Sequence, residues 1–335
     1  MPTAGSQVAG LTGAGTYVVY GTETSFNNST IPTLNKYFGR QQRATTMSVT
    51  SNFEYLYELY QRTASVGRYK QFEGSLTVES VMASPWVFNF LFGQDVVTGS
   101  STYTHTFSRP TGTAGTQASL PSMAIQGGFT PVAANVVREF TGCVVKSVQM
   151  AGAVNDWVKL TTDMFFAQEQ TPVTTLNTNT GPDSFAPFIF ADGTLYIPGP
   201  ATGGTAIAEV QNFTITMNNN LIPVYGINGS AGTGRFALEV LAQNFTVDLK
   251  CSLVFQNSTL LSDFLGMTNV SSTYPFAVKF TATDSTTVEL DGLTGGYITD
   301  FGVTGVEPNA LVLEDVTLQA IDAKVIATNT TASMP

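Results

Sequence analysis

The sequence contains an internal repeat, and this repeat restricts the possible folds more than any other feature. The segment TGCVVKSVQMAG at residues 141–152 aligns with TGGYITDFGVTG at residues 294–305, an offset of 153 positions. Several matches in the same order indicate duplication of one structural unit. We therefore expect two similar domains, residues 1–184 with an N-terminal arm and residues 185–335.

Shorter matches occur on either side of this segment. FEGSLTVES at residues 72–80 resembles LAQNFTVDL at 241–249, and each is followed by a short helical pattern that stops at Gly93 or Gly266. Two further matches pair residues 47–51 with 213–217 and residues 158–160 with 311–313.

Apolar and polar residues alternate at period two along most of the chain, with Gly, Asn, Asp and Pro between the runs, which is typical of half-buried strands. Ser84, Pro85 and Gly93 are start and stop signals for one short, aromatic helix over residues 85–92. Asn155 and Asp156 predict a tight hairpin turn. The sequence thus predicts a mostly β fold: two tandem β-sandwich or barrel domains, each with one short flanking helix.

The composition is poor in charge. Charged residues make up 11% of the chain, against about 25% in a typical soluble domain. Because solubility normally depends on charged side chains, we expect much of the surface to be covered by other subunits. Lys36 is the first basic residue and no apolar run reaches membrane-spanning length. We expect no membrane anchor and no export signal.

Residues capable of catalysis are few. His105, the single histidine, lies in an alternating strand among threonines, and no Gly-x-Ser-x-Gly elbow accompanies it. Cys143 and Cys251 could form one disulfide, although two free thiols are favoured. Paired carboxylates could be drawn from four residues whose positions indicate solvated strand or turn sites: Asp156, Asp163, Glu314 and Asp315. We predict no catalytic residue, no metal site and no cofactor.

Charge is divided unevenly between the halves. Residues 1–184 carry a net charge of −1, and residues 185–335 carry −9. Six basic residues form a cluster that is either a solvated face or an electropositive contact surface: Lys36, Arg40, Arg43, Arg62, Arg68 and Lys70.

Several motifs, in order, resemble the tail tube (major tail) proteins of long-tailed bacteriophages and related viruses. The resemblance is carried by GTYVVYGTETSF at residues 15–26, YFG at 37–39, PW at 85–86 with FLFG at 90–93, YTHTF at 103–107, LPSMAI at 120–125 and REFTGCVVKSV at 138–148. It implies β-sandwiches whose inner sheets join neighbouring subunits into a barrel around a channel. Rings of six single domains stack into the tube, so a chain with two domains would close the ring as a homotrimer.

The resemblance also implies the partners. They are further copies of this chain, the tape measure, tail terminator and tail tip proteins, and double-stranded DNA that passes without tight binding. The protein would belong to the virion tail, assembled in the host cytoplasm. Alternatives are an extracellular carbohydrate-binding or surface-layer β-sandwich protein and, less favoured, a β-sandwich glycosidase. The second half could also decorate the outside of a six-chain ring.

Two surfaces are predicted from composition. Aromatic and basic residues, which protein interfaces favour, indicate a ring-stacking surface formed by Tyr55, Tyr57, Tyr60, Arg62, Arg68, Tyr69 and Lys70. The alternative is a long hairpin whose tyrosines pack on their own domain. The channel wall should be acidic or neutral, because Lys and Arg would retain DNA; the competing arrangement turns the basic cluster inward.

Overall fold

A computed structural model describes most of the chain. The described residues are 16–60, 62–110, 120–129, 136–170, 185–227, 233–256, 259–266, 274–294, 296–308 and 310–332. The N-terminal arm and residues 183–184 of the predicted domain boundary lie outside them.

The described residues of the first half form nine strands and one helix. The strands are β1 (Thr16–Thr22), β2 (Arg40–Leu56), β3 (Val66–Val81), β4 (Gln94–Gly99), β5 (Tyr103–Ser108), β6 (Met123–Phe129), β7 (Val136–Ala153), β8 (Lys159–Phe166) and β9 (Gln168–Glu169). Helix α1 (Val87–Phe92) lies between β3 and β4.

The second half supplies the remaining elements. The strands are β10 (Gly193–Tyr196), β11 (Ala206–Ile207), β12 (Val210–Asn218), β13 (Ile222–Val224), β14 (Glu239–Leu241), β15 (Thr246–Val254), β16 (Phe276–Thr281), β17 (Thr287–Thr294), β18 (Tyr297–Thr304), β19 (Leu313–Ala320) and β20 (Asp322–Asn329). Helix α2 (Thr259–Gly266) follows β15.

Both halves contribute strands to each of two large sheets. The main path of the larger sheet runs β18-β19-β15-β12-β7-β8-β3-β2, and β1, β6 and β9 attach through β7. The smaller sheet runs β11-β10-β16-β17-β20-β5-β4. Inward-facing residues of both sheets and of α1 form one apolar core. The mostly β class is confirmed, and the described strands do not close a barrel within one chain.

Helix α1 lies in this core. Gly93 ends it in a left-handed conformation, with φ of 91°, and its amide donates to the Asn89 carbonyl. This is the predicted stop signal. The start differs from the prediction, because the helix begins at Val87 and Trp86 occupies the cap position without a side-chain bond. Ser84 Oγ accepts from the Trp86 amide at 3.5 Å, and burial of the aromatic side chains stabilises the helix.

The larger sheet contains one strand order twice. Strands β2-β3-β8-β7 and β12-β15-β19-β18 follow each other in the same sequence along the path. In the β7–β8 pair a register shift lies between Val145 and Ser147. In the β18–β19 pair the shift lies between Ile298 and Asp300. The two bulges are therefore separated by the 153 positions of the sequence repeat.

The ladders shift three of the predicted alignments: 72–80 with 241–249, 47–51 with 213–217, and 158–160 with 311–313. Leu76 pairs with Met164, and Leu249 pairs with Leu318 in the equivalent ladder. Leu249 is thus the counterpart of Leu76, four positions from the predicted alignment of 72–80 with 241–249. An alternating pattern looks the same after an even slip, so only hydrogen bonding fixes the register.

Other local predictions can now be compared with the structure. The β7–β8 hairpin is confirmed, with Asn155 at a φ of 65° in its turn. Cys143 and Cys251 are free and buried, so they form no disulfide. Burial raises the pKa of the Cys251 thiol to about 12. The alternating pattern of residues 242–252 predicts a strand over that whole range, but β15 begins only at Thr246, because β13 and β14 form a separate small hairpin before it.

Candidate assembly interface

Strands β2 and β3 continue past the rest of the sheet as a two-stranded projection. β8, the inner neighbour of β3, pairs with it only from Gly74 onward. Beyond that point β2 and β3 pair with each other as far as Leu56 and Val66. We call residues 53–69 the aromatic hairpin.

The aromatic hairpin exposes a continuous set of large apolar side chains. The ring of Phe53 lies 4.7 Å from that of Tyr55 and 4.9 Å from that of Tyr69. Tyr60, at the tip, is 101% exposed. Isolated exposed apolar residues are ordinary, but a contiguous patch indicates an interaction surface. The exposed members are Phe53, Tyr55, Leu56, Tyr57, Leu59, Tyr60, Val66 and Tyr69.

A segment of the second half contacts the root of the aromatic hairpin. Arg235 donates from Nε to the Lys70 carbonyl oxygen at 3.0 Å and from its guanidinium to Ser51 Oγ at 2.5 Å. Tyr225 Oη donates to the Phe72 carbonyl oxygen at 2.9 Å. These bonds orient the projection relative to the sheet, and sequence analysis did not single out either residue.

The six basic residues of the predicted cluster do not form one patch. Arg40 and Arg43 lie near the start of β2, whereas Arg62, Arg68 and Lys70 lie on or beside the aromatic hairpin. Arg43 pairs with Glu79 at 2.5 Å, and Lys70 pairs with Glu54. All seven predicted stacking residues do lie together on or beside the hairpin.

The opposite end of the larger sheet carries a second apolar patch. Val81, at the far end of β3 from the hairpin, pairs with Lys159, and Trp157 just before it is 43% exposed. Trp157 forms a β-bridge with Ile189. An open groove of about 540 Å³ is lined here by Arg40, Gln41, Val81, Trp157 and Pro187; we call it the Trp157 groove.

The two ends of the main sheet path are free edges. Among the described residues, β2 forms a ladder only with β3 and β18 only with β19; on the β2 edge, the Met47 carbonyl oxygen accepts from Arg138 Nη1 at 2.8 Å. Unpaired edges are templates for joining another chain. Val49 on β2 is 38% exposed and Val303 on β18 is 43% exposed.

The face of this sheet that points away from the core is polar. Its carboxylates are held mainly by neutral donors: Asp163 accepts from Thr77 and Ser147, and Asp315 accepts from Ser252. Among the described residues, carboxylates outnumber cations on this face. They are Glu73, Glu79, Asp163, Asp248, Asp300 and Asp315, against Arg43, Lys146, Lys159 and Lys250.

His105 occupies a structural position. Its ring is fully buried, with Nδ1 2.8 Å from Asp95 Oδ2 and Nε2 2.7 Å from the Thr331 carbonyl oxygen. It also packs edge-on against Trp86 at 4.9 Å. The histidine thus joins β5, β4 and the segment after β20, and leaves no ring nitrogen for a substrate.

The four candidate carboxylates do not converge. Asp156 pairs with Lys159 in the exposed β7–β8 turn, and this hydrogen bond lowers the pKa of Asp156. Glu314 corrects the prediction of a solvated site, because it is 7% exposed and burial raises its pKa. It occupies a core-facing position of β19, where period two predicted an apolar residue. Within the described part of the chain, no cluster of His, Cys, Asp and Glu could hold a metal ion.

The residues that sequence analysis missed carry weak signals. Trp157 forms a β-bridge just after the β7–β8 turn and Arg235 ends a short 3-10 helix, so strand periodicity gives no information about their neighbours. Phe301 and Val303 could have been found from the repeat, which aligns Phe301 with Val148 and Val303 with Met150 in the first half. No helix among the described residues is long and apolar enough to cross a membrane.

Comparison with known proteins gives one assignment. The family model described as phage tail tube protein matches residues 13–320, nearly the whole chain. No curated protein matches. The family is a structural one, a component of the virion tail that self-associates into a stacked tube. With a match of this extent, the chain belongs to the phage tail tube protein family.

Proposed function

We propose that this protein is the subunit of a siphovirus-like tail tube, in which stacked rings enclose a channel for delivery of double-stranded DNA, with no catalytic role. The observation that carries this proposal is the pair of free edges on the larger sheet. β2 and β18 are the repeat counterparts of β12 and β7, and β12 and β7 pair with each other inside the chain.

The internal β12–β7 junction serves as a template for the contact between subunits. Ile215 pairs with Met150 and Met217 pairs with Val148 across it, and all four side chains are buried. The junction therefore combines backbone hydrogen bonds with apolar burial, and it leaves neither strand as an edge.

The free edges carry apolar residues at the corresponding positions. Met47 pairs with Leu76 as Ile215 pairs with Leu249, which makes Met47 the counterpart of Ile215 and Val49 that of Met217. Val303 and Phe301 correspond to Met150 and Val148. In the assembly, Met47 would pair with Val303 and Val49 with Phe301 of the next chain, burying side chains that are part-exposed in one chain.

The repeat also supports a stoichiometry of three chains per ring. If residues 1–184 and 185–335 are two copies of one tail tube domain, each chain fills two of six quasi-equivalent positions. Three chains then close a pseudo-hexameric ring through heterologous contacts. An arrangement with the second half outside a six-chain ring is disfavoured, because this half continues the sheet of the first half through β12, β15, β19 and β18.

The polar face of the larger sheet would line the channel. Its excess of carboxylates would repel phosphates, and the four cations on it would give DNA little to bind through counterion release. DNA would pass without tight binding. The ends of the tube would meet tape measure, terminator and tip proteins.

Cysteine pairing across the proposed edge contact tests the ring. Met47→Cys combined with Val303→Cys should give disulfide-linked products of up to three chains under oxidation, and electron microscopy should show rings or tubes. Directly opposite residues are within disulfide reach. Met47→Cys with Phe301→Cys is the control: this pair lies two positions out of register and should not cross-link.

The outcomes are distinct. Covalent products of six chains would contradict the trimer, and cross-linking of the control pair in preference to the test pair would contradict the register. A monomeric protein that forms no rings or tubes would contradict the tail tube function.

A further inference from the structure

We propose that the aromatic hairpin of one subunit docks into the Trp157 groove of an identical subunit in the adjacent ring. This inference rests on the proposed function and identifies the surface that receives the hairpin. It is carried by the placement of two exposed apolar surfaces at opposite ends of one long sheet.

The opposite placement follows from the strand β3. Val66 lies at the hairpin end and Val81 at the groove end, a separation of about 50 Å at about 3.3 Å per residue. Two different surfaces at opposite ends of a subunit form a heterologous contact. Such a contact generates an open filament rather than a closed pair, as stacking of rings into a tube requires.

The chemistry of the two surfaces is complementary. The hairpin presents tyrosine rings and Leu59, and the groove presents the Trp157 indole, Pro187 and the Arg40 guanidinium, which donates to the Phe185 carbonyl oxygen at 3.2 Å. Tyrosine rings pack favourably on indole and guanidinium groups. Trp and Arg also dominate the energetics of protein interfaces.

The Trp157 groove lies close enough to the line of β3 to receive the aromatic hairpin of a subunit in the adjacent ring. The β7–β8 turn that carries Trp157 lies at the end of strands adjacent to β3, the strand that forms one arm of the hairpin. A small rotation between rings would place the hairpin over it. The β18–β19 turn, with exposed Val306 and Leu311, is the competing receptor, but it carries Glu307 and no aromatic side chain in residues 305–312.

Substitution at each turn separates the two receptors. Trp157→Ala should leave rings intact and abolish or shorten tubes, as seen by electron microscopy and sedimentation. Leu311→Ala is the matched control, because it also truncates an exposed apolar residue in a β-hairpin turn at the same end. Normal tubes from Trp157→Ala, or loss of tubes from Leu311→Ala alone, would overturn the proposal.

Tryptophan fluorescence gives an independent readout. The chain has two tryptophans; Trp86 is fully buried and Trp157 is exposed. Acrylamide should quench Trp157 in unstacked rings, and stacking should remove that quenching. Unchanged quenching in tubes would overturn the docking site. Met47→Cys/Val303→Cys cross-linking in the same samples reports ring formation separately, so failure of the tail tube function is distinguishable from failure of this inference.

Discussion

The guanidinium of Arg235 lies 5.0 Å from the centre of the Tyr69 ring, and so connects the second half of the chain to the aromatic hairpin of the first. The contact combines a cation–π interaction with hydrogen bonds to Lys70 and Ser51. The connection between β12 and β15 thereby supports the β2–β3 projection, so the two halves differ at this end of the molecule.

Arg235→Ala should release the hairpin without unfolding the subunit. The hydrogen bonds and the ring contact that orient the hairpin root are lost, and limited trypsin digestion at Arg62 and Arg68 should become faster, with shorter tubes. Arg109→Ala is the matched control, since Arg109 makes a similar contact over Phe245 at 5.0 Å. Equal digestion rates in the two variants would contradict the positioning role of Arg235.

A double substitution at the tip, Leu59→Ser with Tyr60→Ser, should prevent stacking while leaving rings. Both side chains are almost fully exposed, so we expect the free energy of unfolding to change by less than about 0.5 kcal/mol for each. Leu265→Ser, an exposed leucine in α2, is the control and should form normal tubes. Tubes of normal length from the double variant, measured by electron microscopy, would argue against the hairpin as the stacking surface.

His105→Phe should destabilise the subunit although the aromatic ring still fits beside Trp86. The substitution removes the ring nitrogens that bond to the Asp95 carboxylate and the Thr331 carbonyl, and leaving a buried polar group without its partner costs about 1–3 kcal/mol. Tyr103→Phe, on the same strand, removes only a hydroxyl that bonds to an exposed loop carbonyl. Urea unfolding should therefore show a large loss for His105→Phe and a loss below about 1 kcal/mol for Tyr103→Phe.

Glu314→Leu should stabilise the subunit, and the gain should grow with pH. Burial raises the pKa of the Glu314 carboxyl in the folded subunit. The neutral carboxyl therefore contributes its full stability below the pKa that Glu314 has in the unfolded chain. This contribution is lost as the pH rises through the pKa of the folded state, where the buried side chain becomes charged. At pH 8 the variant should gain about 1–3 kcal/mol, the range for removing an unpaired buried acceptor, and little at pH 4.

Leucine is the residue at the corresponding position of the first half, because Leu160 pairs with Met150 as Glu314 pairs with Val303. Glu307→Leu, on the exposed turn, is the control and should show no such pH-dependent gain. Thermal unfolding of subunits at the two pH values measures the difference. A gain that is equal at both would show that the Glu314 charge does not limit stability.

Local structure followed directly from the sequence. Strands β8, β12 and β19 alternate in burial as the period-two pattern predicts, because each has one face on the core. Gly93 marked the end of α1, since glycine readily adopts the left-handed conformation that ends a helix. The seven aromatic and basic residues between Tyr55 and Lys70 also proved to lie close together, because a hairpin keeps neighbours in sequence adjacent in space.

The tertiary structure decided what sequence periodicity leaves open. An alternating strand pattern looks the same when the alignment is shifted by an even number of residues. Only the hydrogen-bonded ladders therefore show that Leu76 corresponds to Leu249. Trp157 and Arg235 lie outside the long strands, and their roles depend on distant elements that only folding brings to them. Sequence thus determined which residues form strands and that the pattern occurs twice; long-range pairing alone determined that the two patterns form one continuous sheet with β2 and β18 at its free edges.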